Sequence, residues 1–483
     1  MPDGTIELTI QPPKTRTSDQ FGHLVEGEAF VQHEHEPADQ LTRETVDDLL
    51  KEFNLPYGKG KNPQRYVRCL SDVLVAIRAA PHGLFCWPMG NESFTGEAYG
   101  ADIARKVKDA LTADGWMWKY QLQSKSDKLA MVYEADKTFV SPKLRFKCHG
   151  AGQPVIVRSK TTRRGNKKNE GKRLPRRGFL PKIAGLEKQV QAINDFHKNH
   201  PLVFPNDVER SRCRRIFNNG SLTVGGRLYG PWQQMDEDER LTCRIDGERL
   251  CEIDLKASYL SIAHAILVDE GDLGFDPYER VKCVKEANNK DRKHQLRGLV
   301  KLLVVTYVSQ SMHHPEKEAL TKYPQGKNVR DELTGVSEFF SVRERFDVCE
   351  PVEFYKNQIL EAFPFLINIQ QCPYDVMYME SEVMLTSIDN LNKKGIPAYP
   401  VHDCLLVKLS DKDSAVEELI QSQIRHLGKI IHMDCSYFNE EGNKIEEPIT
   451  QELTTDKAFQ ATFKRNTKFD WAIDESLELI EDY

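Results

Sequence analysis

Two stretches constrain this chain more than any others: Ala398-Tyr-Pro-Val-His-Asp-Cys-Leu-Leu-Val407 and Cys251-Glu-Ile-Asp-Leu-Lys-Ala-Ser-Tyr-Leu-Ser-Ile262. In the first, two apolar runs flank the dipeptide His402-Asp403, the pattern of a β-hairpin with a carboxylate at its tip. In the second, an apolar strand ends at Asp254 and gives way to helical spacing. A single acid at a strand end is ordinarily structural. Two acids in matched settings can be gathered around a pair of hard divalent cations, which prefer oxygen ligands.

The chain has 483 residues, enough for two or three domains that each bury a core. Its net charge of −6 gives no global basic signature, yet the charge is segregated. Arg158, Lys160, Arg163, Arg164, Lys167, Lys168, Lys172, Arg173, Arg176, Arg177 and Lys182 face the single acid Glu170. Such a run suits an anionic partner, and nucleic acid is the natural one. The 11 cysteines stand singly with no Cys-x-x-Cys pair, and no histidines follow at zinc-finger spacing. They read as reduced thiols rather than as disulfides or a structural zinc site. No apolar run approaches the roughly 20 residues of a membrane span, and the start lacks a signal-peptide pattern. The expected setting is the cytoplasm, with no membrane partner.

Residues 1–43 are polar and acidic and are expected to be a disordered tail. Residues 44–140 read as a small α+β domain. Val67, Leu70, Val73, Leu74 and Ile77 mark one helix, Ile103, Val107 and Leu111 another, and alternating strands around residues 116–122 and 129–133 form a hairpin. Helices followed by a hairpin resemble a winged helix. Residues 141–185 form the basic linker, 186–450 the main catalytic domain, and 451–483 an acidic tail or docking helix. In the main domain, Gly225-Gly-Arg-Leu-Tyr-Gly-Pro-Trp-Gln-Gln234 is a glycine-rich turn with a guanidinium and stacking groups, suited to a nucleic-acid strand.

The order of Gly226-Arg-Leu, Gln233-Gln234, Asp254 after Cys251-Glu-Ile, and Val401-His-Asp403 resembles family A DNA polymerases and the related single-subunit phage and mitochondrial RNA polymerases. The resemblance runs over roughly residues 215 to 410. It implies an α+β right-hand core of palm and fingers with an antiparallel palm sheet, beside the winged-helix-like domain. It also implies two Mg2+ ions, or Mn2+, held by Asp254, Asp403 and the Leu255 carbonyl for nucleotidyl transfer. Lys293, Arg297 and Lys301 recur at helical spacing and resemble the cationic face of the fingers helix. Arg297 and Lys301 would then bind the triphosphate, with Lys301 protonating the leaving pyrophosphate. Arg215, Arg227, Gln233, Gln234 and His402 would hold template and primer.

Three departures from the pattern carry information. Val305, Ser309 and Gln310 stand where the fingers helix usually has aromatic and Tyr-Gly positions. Cys404 follows Asp403 where DNA polymerases of the family usually have Glu, which is closer to the His-Asp-Ser of the RNA polymerases. Tyr259 stands five residues after Asp254, where it would act as a steric gate against the ribose 2′-hydroxyl. No Asp-x-Glu cluster of a 3′–5′ exonuclease precedes residue 200. The leading expectation is therefore a DNA-directed DNA polymerase without proofreading, taking dNTPs on a template and primer in the replication or priming of a phage or mobile element. A helicase or single-strand-binding protein would be its partner. The alternatives are an RNA polymerase or RNA-primer synthase using NTPs, and a DNA-binding replication or regulatory protein with a degenerate polymerase core.

Overall fold

The computed structural model describes residues 31–449 except 81–82, 95–96, 122–130, 137, 139, 150–151, 161, 165–166, 170, 206–207, 269–270 and 331–336. Most of the acidic amino-terminal segment and all of the carboxy-terminal one, 451–483, therefore lie outside the described residues. What is described is α+β and divides into two compact units, one up to Gly152 together with Asn328–Glu338, the other Gln153–Lys327 with Phe339 onward. No helix among the described residues is long and apolar enough to cross a membrane.

The first unit runs β1 (His35–Pro37), α1 (Gln40–Glu52), α2 (Lys61–Ala79), β2 (Leu84–Cys86), α3 (Ala101–Ala113), β3 (Met117–Gln121), β4 (Val132–Ala135) and β5 (Phe146–Cys148). Folded structure thus begins ahead of residue 44. Asp39 caps α1 by accepting the Thr42 N–H at 2.7 Å, which satisfies one of the helix's orphan donors. In α2 nearly every residue from Tyr66 to Ile77 is buried, so this helix is the unit's core rather than an amphipathic cover. β4 lies between β2 and β3 in an antiparallel sheet, and β1 pairs with β5 so that His35 faces Cys148.

The second unit opens with β6 (Val155–Val157), the hairpin of β7 (Thr162–Arg164) and β8 (Lys167–Asn169), and α4 (Ala184–Asn199). The segment expected as a linker therefore carries strands. Next come β9 (Leu202–Val203), β10 (Glu209–Arg210), β11 (Arg214–Phe217), β12 (Gly225–Tyr229), α5 (Glu237–Thr242), β13 (Arg244–Ile245), β14 (Leu250–Leu255) and α6 (Ser258–Leu267). They are followed by α7 (Lys282–Lys285), α8 (Lys290–His313), α9 (Val342–Phe346), α10 (Val352–Ala362) and α11 (Val376–Lys393), while the paired β15 (Lys327–Arg330) and β16 (Ser337–Phe340) fall largely in the stretch grouped with the first unit. β17 (Ala398–Val401), β18 (Cys404–Lys408), α12 (Lys412–Leu427), β19 (Met433–Phe438) and β20 (Lys444–Ile449) complete it.

Its centre is a five-stranded antiparallel sheet in the order β17-β18-β14-β19-β20. β14 is buried along almost its whole length, which explains its near-continuous apolar run; Asp254 is the one half-buried position. α11 packs on α6, α12, β12 and β17, while β11 joins β6 and β12 in a separate sheet. Gly226 of β12 sits at φ 82°, and a Cβ there would come within 3.0 Å of Phe217 and Ser381, so only glycine fits this crossing of strand and α11.

Candidate metal centre

Register brings the two acids together. Asp254, near the end of β14, lies opposite Cys404 of β18 on one side and Asp434 of β19 on the other. Asp403 precedes Cys404 as the second residue of the two-residue turn from β17 to β18. The turn's first residue, His402, adopts φ 57°, and Ala257, which caps α6 just beyond Asp254, adopts φ 49°. Left-handed backbone costs a non-glycine residue about 1–2 kcal/mol, so both acid-bearing turns hold strain that the surrounding packing must offset. The Leu255 N–H donates to the Asp403 carbonyl at 3.2 Å and ties the two ends together.

Carboxylate oxygens of Asp254 and Asp403 and the Cys404 sulfur lie within 4.8 Å of one another. Burial, and then the neighbouring Asp403, push the Asp254 carboxyl up to about 7. The Cys404 thiol is raised well above its ordinary range by burial and then by the two aspartates, so it is neutral and donates to Asp254 Oδ1 at 2.9 Å. On the Asp403 side, Ser258 Oγ is 3.0 Å from Asp403 Oδ2 and 2.8 Å from Glu380 Oε2. One hydroxyl proton serves one carboxylate at a time, so a cation drawn to Asp403 would leave that proton to Glu380.

Glu380 is fully buried in α11 and receives Arg227 Nε at 2.6 Å. Burial raises the Glu380 carboxyl, with Arg227 working against it. Burial disfavours the Arg227 charge, but Glu380 more than restores it, and the guanidinium lies 5.7 Å above the Tyr259 ring. Lys256 bridges Asp434 and Asp254, in close contact with the first and 3.6 Å from the second. Glu380, Ser258, Lys256 and Asp434 were not singled out from the sequence. None of them stands out by residue type or local pattern; Glu380 sits in Met379-Glu-Ser-Glu-Val383, where a second acid, Glu382, accompanies it.

The other expected site residues fall into three groups. On α8, Lys293 pairs with Glu279 at 2.8 Å and Arg297 with Asp276, while Lys301 is exposed. Arg297 also lies 5.6 Å over the Tyr278 ring, whose hydroxyl is raised first by burial, with Asp276, Asp403 and Asp254 adding smaller effects. Among the residues expected on template and primer, Arg215 is buried, donates to the Gly226 carbonyl at 2.8 Å and pairs with Glu382. Gln233 donates to the Leu228 and Pro400 carbonyls, both at 2.9 Å, whereas Gln234 and His402 are exposed. In the basic stretch, register sets Arg163 opposite Lys168 and Arg164 opposite Lys167, Arg173 bridges Arg158, Arg176 pairs with Glu187, and Arg177 is exposed.

No protein-family model and no curated protein matches this chain. Its chemistry must be argued from the site. Two like-charged carboxylates this close repel unless a cation or proton sits between them, and a neutral thiol does not supply one. With the Cys404 thiol neutral, the two carboxylates are the donors left, and they suit an oxygen-seeking divalent ion.

Proposed function

We propose that the chain is a template-directed DNA polymerase of family A type, its five-stranded sheet serving as palm and α8 as part of the fingers. The observation that carries this reading is the meeting of Asp254, on β14, and Asp403, in the turn leading into the adjacent β18, within 4.8 Å. Two Mg2+ or Mn2+ ions bound by Asp254, Asp403 and the Leu255 carbonyl would stabilise the attacking 3′-hydroxyl and the leaving phosphate oxygens. Lys301, exposed one turn beyond Arg297, would neutralise the triphosphate and return a proton to pyrophosphate. Tyr259, held against Arg227, would close the sugar pocket to a 2′-hydroxyl. The exposed cations of the basic stretch would hold DNA, the first unit would add a second DNA contact, and the setting would be cytoplasmic replication or priming of a phage or mobile element beside a helicase or single-strand-binding protein.

A second reading, an RNA-primer synthase, is favoured by one residue: the small Cys404 after Asp403. Labelled dNTPs or NTPs on primed and unprimed single-stranded templates separate the two. Metal-dependent primer extension with dNTPs, lost in Asp403→Ala, is the expected result, and unprimed NTP products would favour the second reading. Synthesis that survives Asp403→Ala would refute both. Tyr259→Ala should raise ribonucleotide incorporation relative to deoxynucleotide; an unchanged ratio removes the gate.

A further inference from the structure

Tyr259 has its polar contact at the ring and not at the hydroxyl. Among the described residues that hydroxyl makes no hydrogen bond, while the Arg227 guanidinium lies 5.7 Å from the ring centre. A cation is attracted to the face of an aromatic ring, so Arg227 restrains the ring as long as it is itself fixed. Glu380 of α11 fixes it: this fully buried carboxylate accepts Arg227 Nε at 2.6 Å with one oxygen and the Ser258 hydroxyl at 2.8 Å with the other. Ser258 directly precedes Tyr259 in the first turn of α6. One acid therefore touches both the cation over the ring and the residue before it. Close packing brings them together, because Gly226, beside Arg227, lets β12 lie against Ser381, beside Glu380, where a Cβ would be only 3.0 Å away.

We propose that Glu380 is a positioning residue for sugar selection: it holds Arg227 over Tyr259 and Ser258 at the start of α6, and so sets how far the Tyr259 ring can yield to a 2′-hydroxyl. This role rests on the reading of the chain as a polymerase gated by Tyr259. Being fully buried, Glu380 touches no ligand and acts through its two partners. The Arg227 side chain is 14% exposed, so water screens the ion pair little. Only a charged carboxylate offers both partners an acceptor oxygen. An amide in its place keeps the shape but has one acceptor oxygen and no charge, so Arg227 loses its ion pair and is free to turn from the ring.

The test uses the full chain and single-nucleotide insertion on a primed template, read as the ratio of kcat/KM for a dNTP to that for the matching NTP. Glu380→Gln should lower this ratio about 3–10-fold, the scale of a ring–cation contact. On a Tyr259→Ala background the same substitution should lower it no further, because the acid acts through the ring. A carboxylate that only stabilised the fold would lower both rates together and leave the ratio unmoved; that result overturns the proposal, as does an effect of Glu380→Gln that persists undiminished without the Tyr259 ring. Where Glu380→Gln does not fold, Glu380→Asp, which keeps the charge but shortens its reach, is read by the same ratio with the same outcomes. A wild type that makes no product, or whose ratio is unmoved by Tyr259→Ala, instead overturns the polymerase or gate reading and this role with it. A ratio that responds to Tyr259→Ala but not to Glu380→Gln overturns the role of Glu380 alone.

Discussion

Replacing Arg227 by methionine would strand Glu380. That carboxylate is fully buried, and its remaining donor is the Ser258 hydroxyl at 2.8 Å, shared with Asp403. Breaking a buried pair by removing one partner costs about 3–5 kcal/mol, because an uncompensated charge is left behind. The Arg227 side chain is itself 14% exposed, so water entering its place should bring the loss towards the lower end, about 3 kcal/mol. Glu380→Leu combined with Arg227→Met removes both charges and should recover at least about 1 kcal/mol of that loss. The loss should also depend on pH. Without Arg227, Glu380 in the fold holds a proton more tightly than in the unfolded chain, so the penalty is full at high pH and shrinks as pH falls towards the ordinary glutamate range. The assay is urea unfolding read by hydrogen exchange on peptides covering β12 and α11, since two units need not unfold together. A single substitution costing under about 1 kcal/mol, or a double variant no better than the single, would refute the argument that Glu380 depends on its cation.

Other expectations are more local. Asp254→Asn should abolish metal-dependent synthesis while raising the melting temperature in chelator, because it removes repulsion against Asp403; a lower melting temperature would contradict the repulsion. His197 is fully buried, stacks on Tyr399 at 4.1 Å, and burial lowers it to about 3. Below its ordinary value near 6.5 the unfolded chain takes up a proton that the fold refuses, so stability is full above about pH 6.5 and should fall by about 2 kcal/mol by pH 5, a dependence that His197→Phe should flatten in acid-titrated melts. Gly226→Ala should cost more than about 1 kcal/mol, given its positive φ and the 3.0 Å approach to Phe217 and Ser381, and wild-type stability in urea unfolding would contradict that.

Local periodicity made much of the second unit legible. The helices α8, α11 and α12 and the hairpin of β17 and β18 stand where apolar spacing and the His402-Asp403 turn place them. Structure made by distant pairing was hidden. β19 lies beside β14 and brings Asp434 to Asp254, while Ser258 meets Glu380 across 122 residues. Nor does residue type say whether a polar side chain serves a ligand or the fold. Arg215 and Gln233 look like strand-binding residues in the sequence, yet each donates to main-chain carbonyls of its own unit. The amino-terminal boundary was obscured for a related reason: β1 is short and polar, and it is β5 and Asp72 that make it a strand.

Charge explains why Asp254 and Asp403, of the four acids gathered here, are the pair suited to metal. Asp434 is in contact with Lys256 and Glu380 with Arg227, so each has a cation beside it. Asp254 and Asp403 instead take their nearest side-chain hydrogen bonds from neutral groups, the Cys404 thiol at 2.9 Å and the Ser258 hydroxyl at 3.0 Å. Neutral donors orient a carboxylate without cancelling its charge, and Lys256 stands farther from Asp254, at 3.6 Å, than from Asp434, so the crowding that raises the Asp254 carboxyl to about 7 is left for a divalent ion to relieve. Cys404 then has a physical role: a glutamate there would set another carboxylate against Asp254, whereas the thiol donates to it. Cys404→Glu should therefore add repulsion and lower the melting temperature in chelator, with part of the loss recovered by Mg2+. If it melts like the wild type in chelator, the residue after Asp403 does not set the charge of this site.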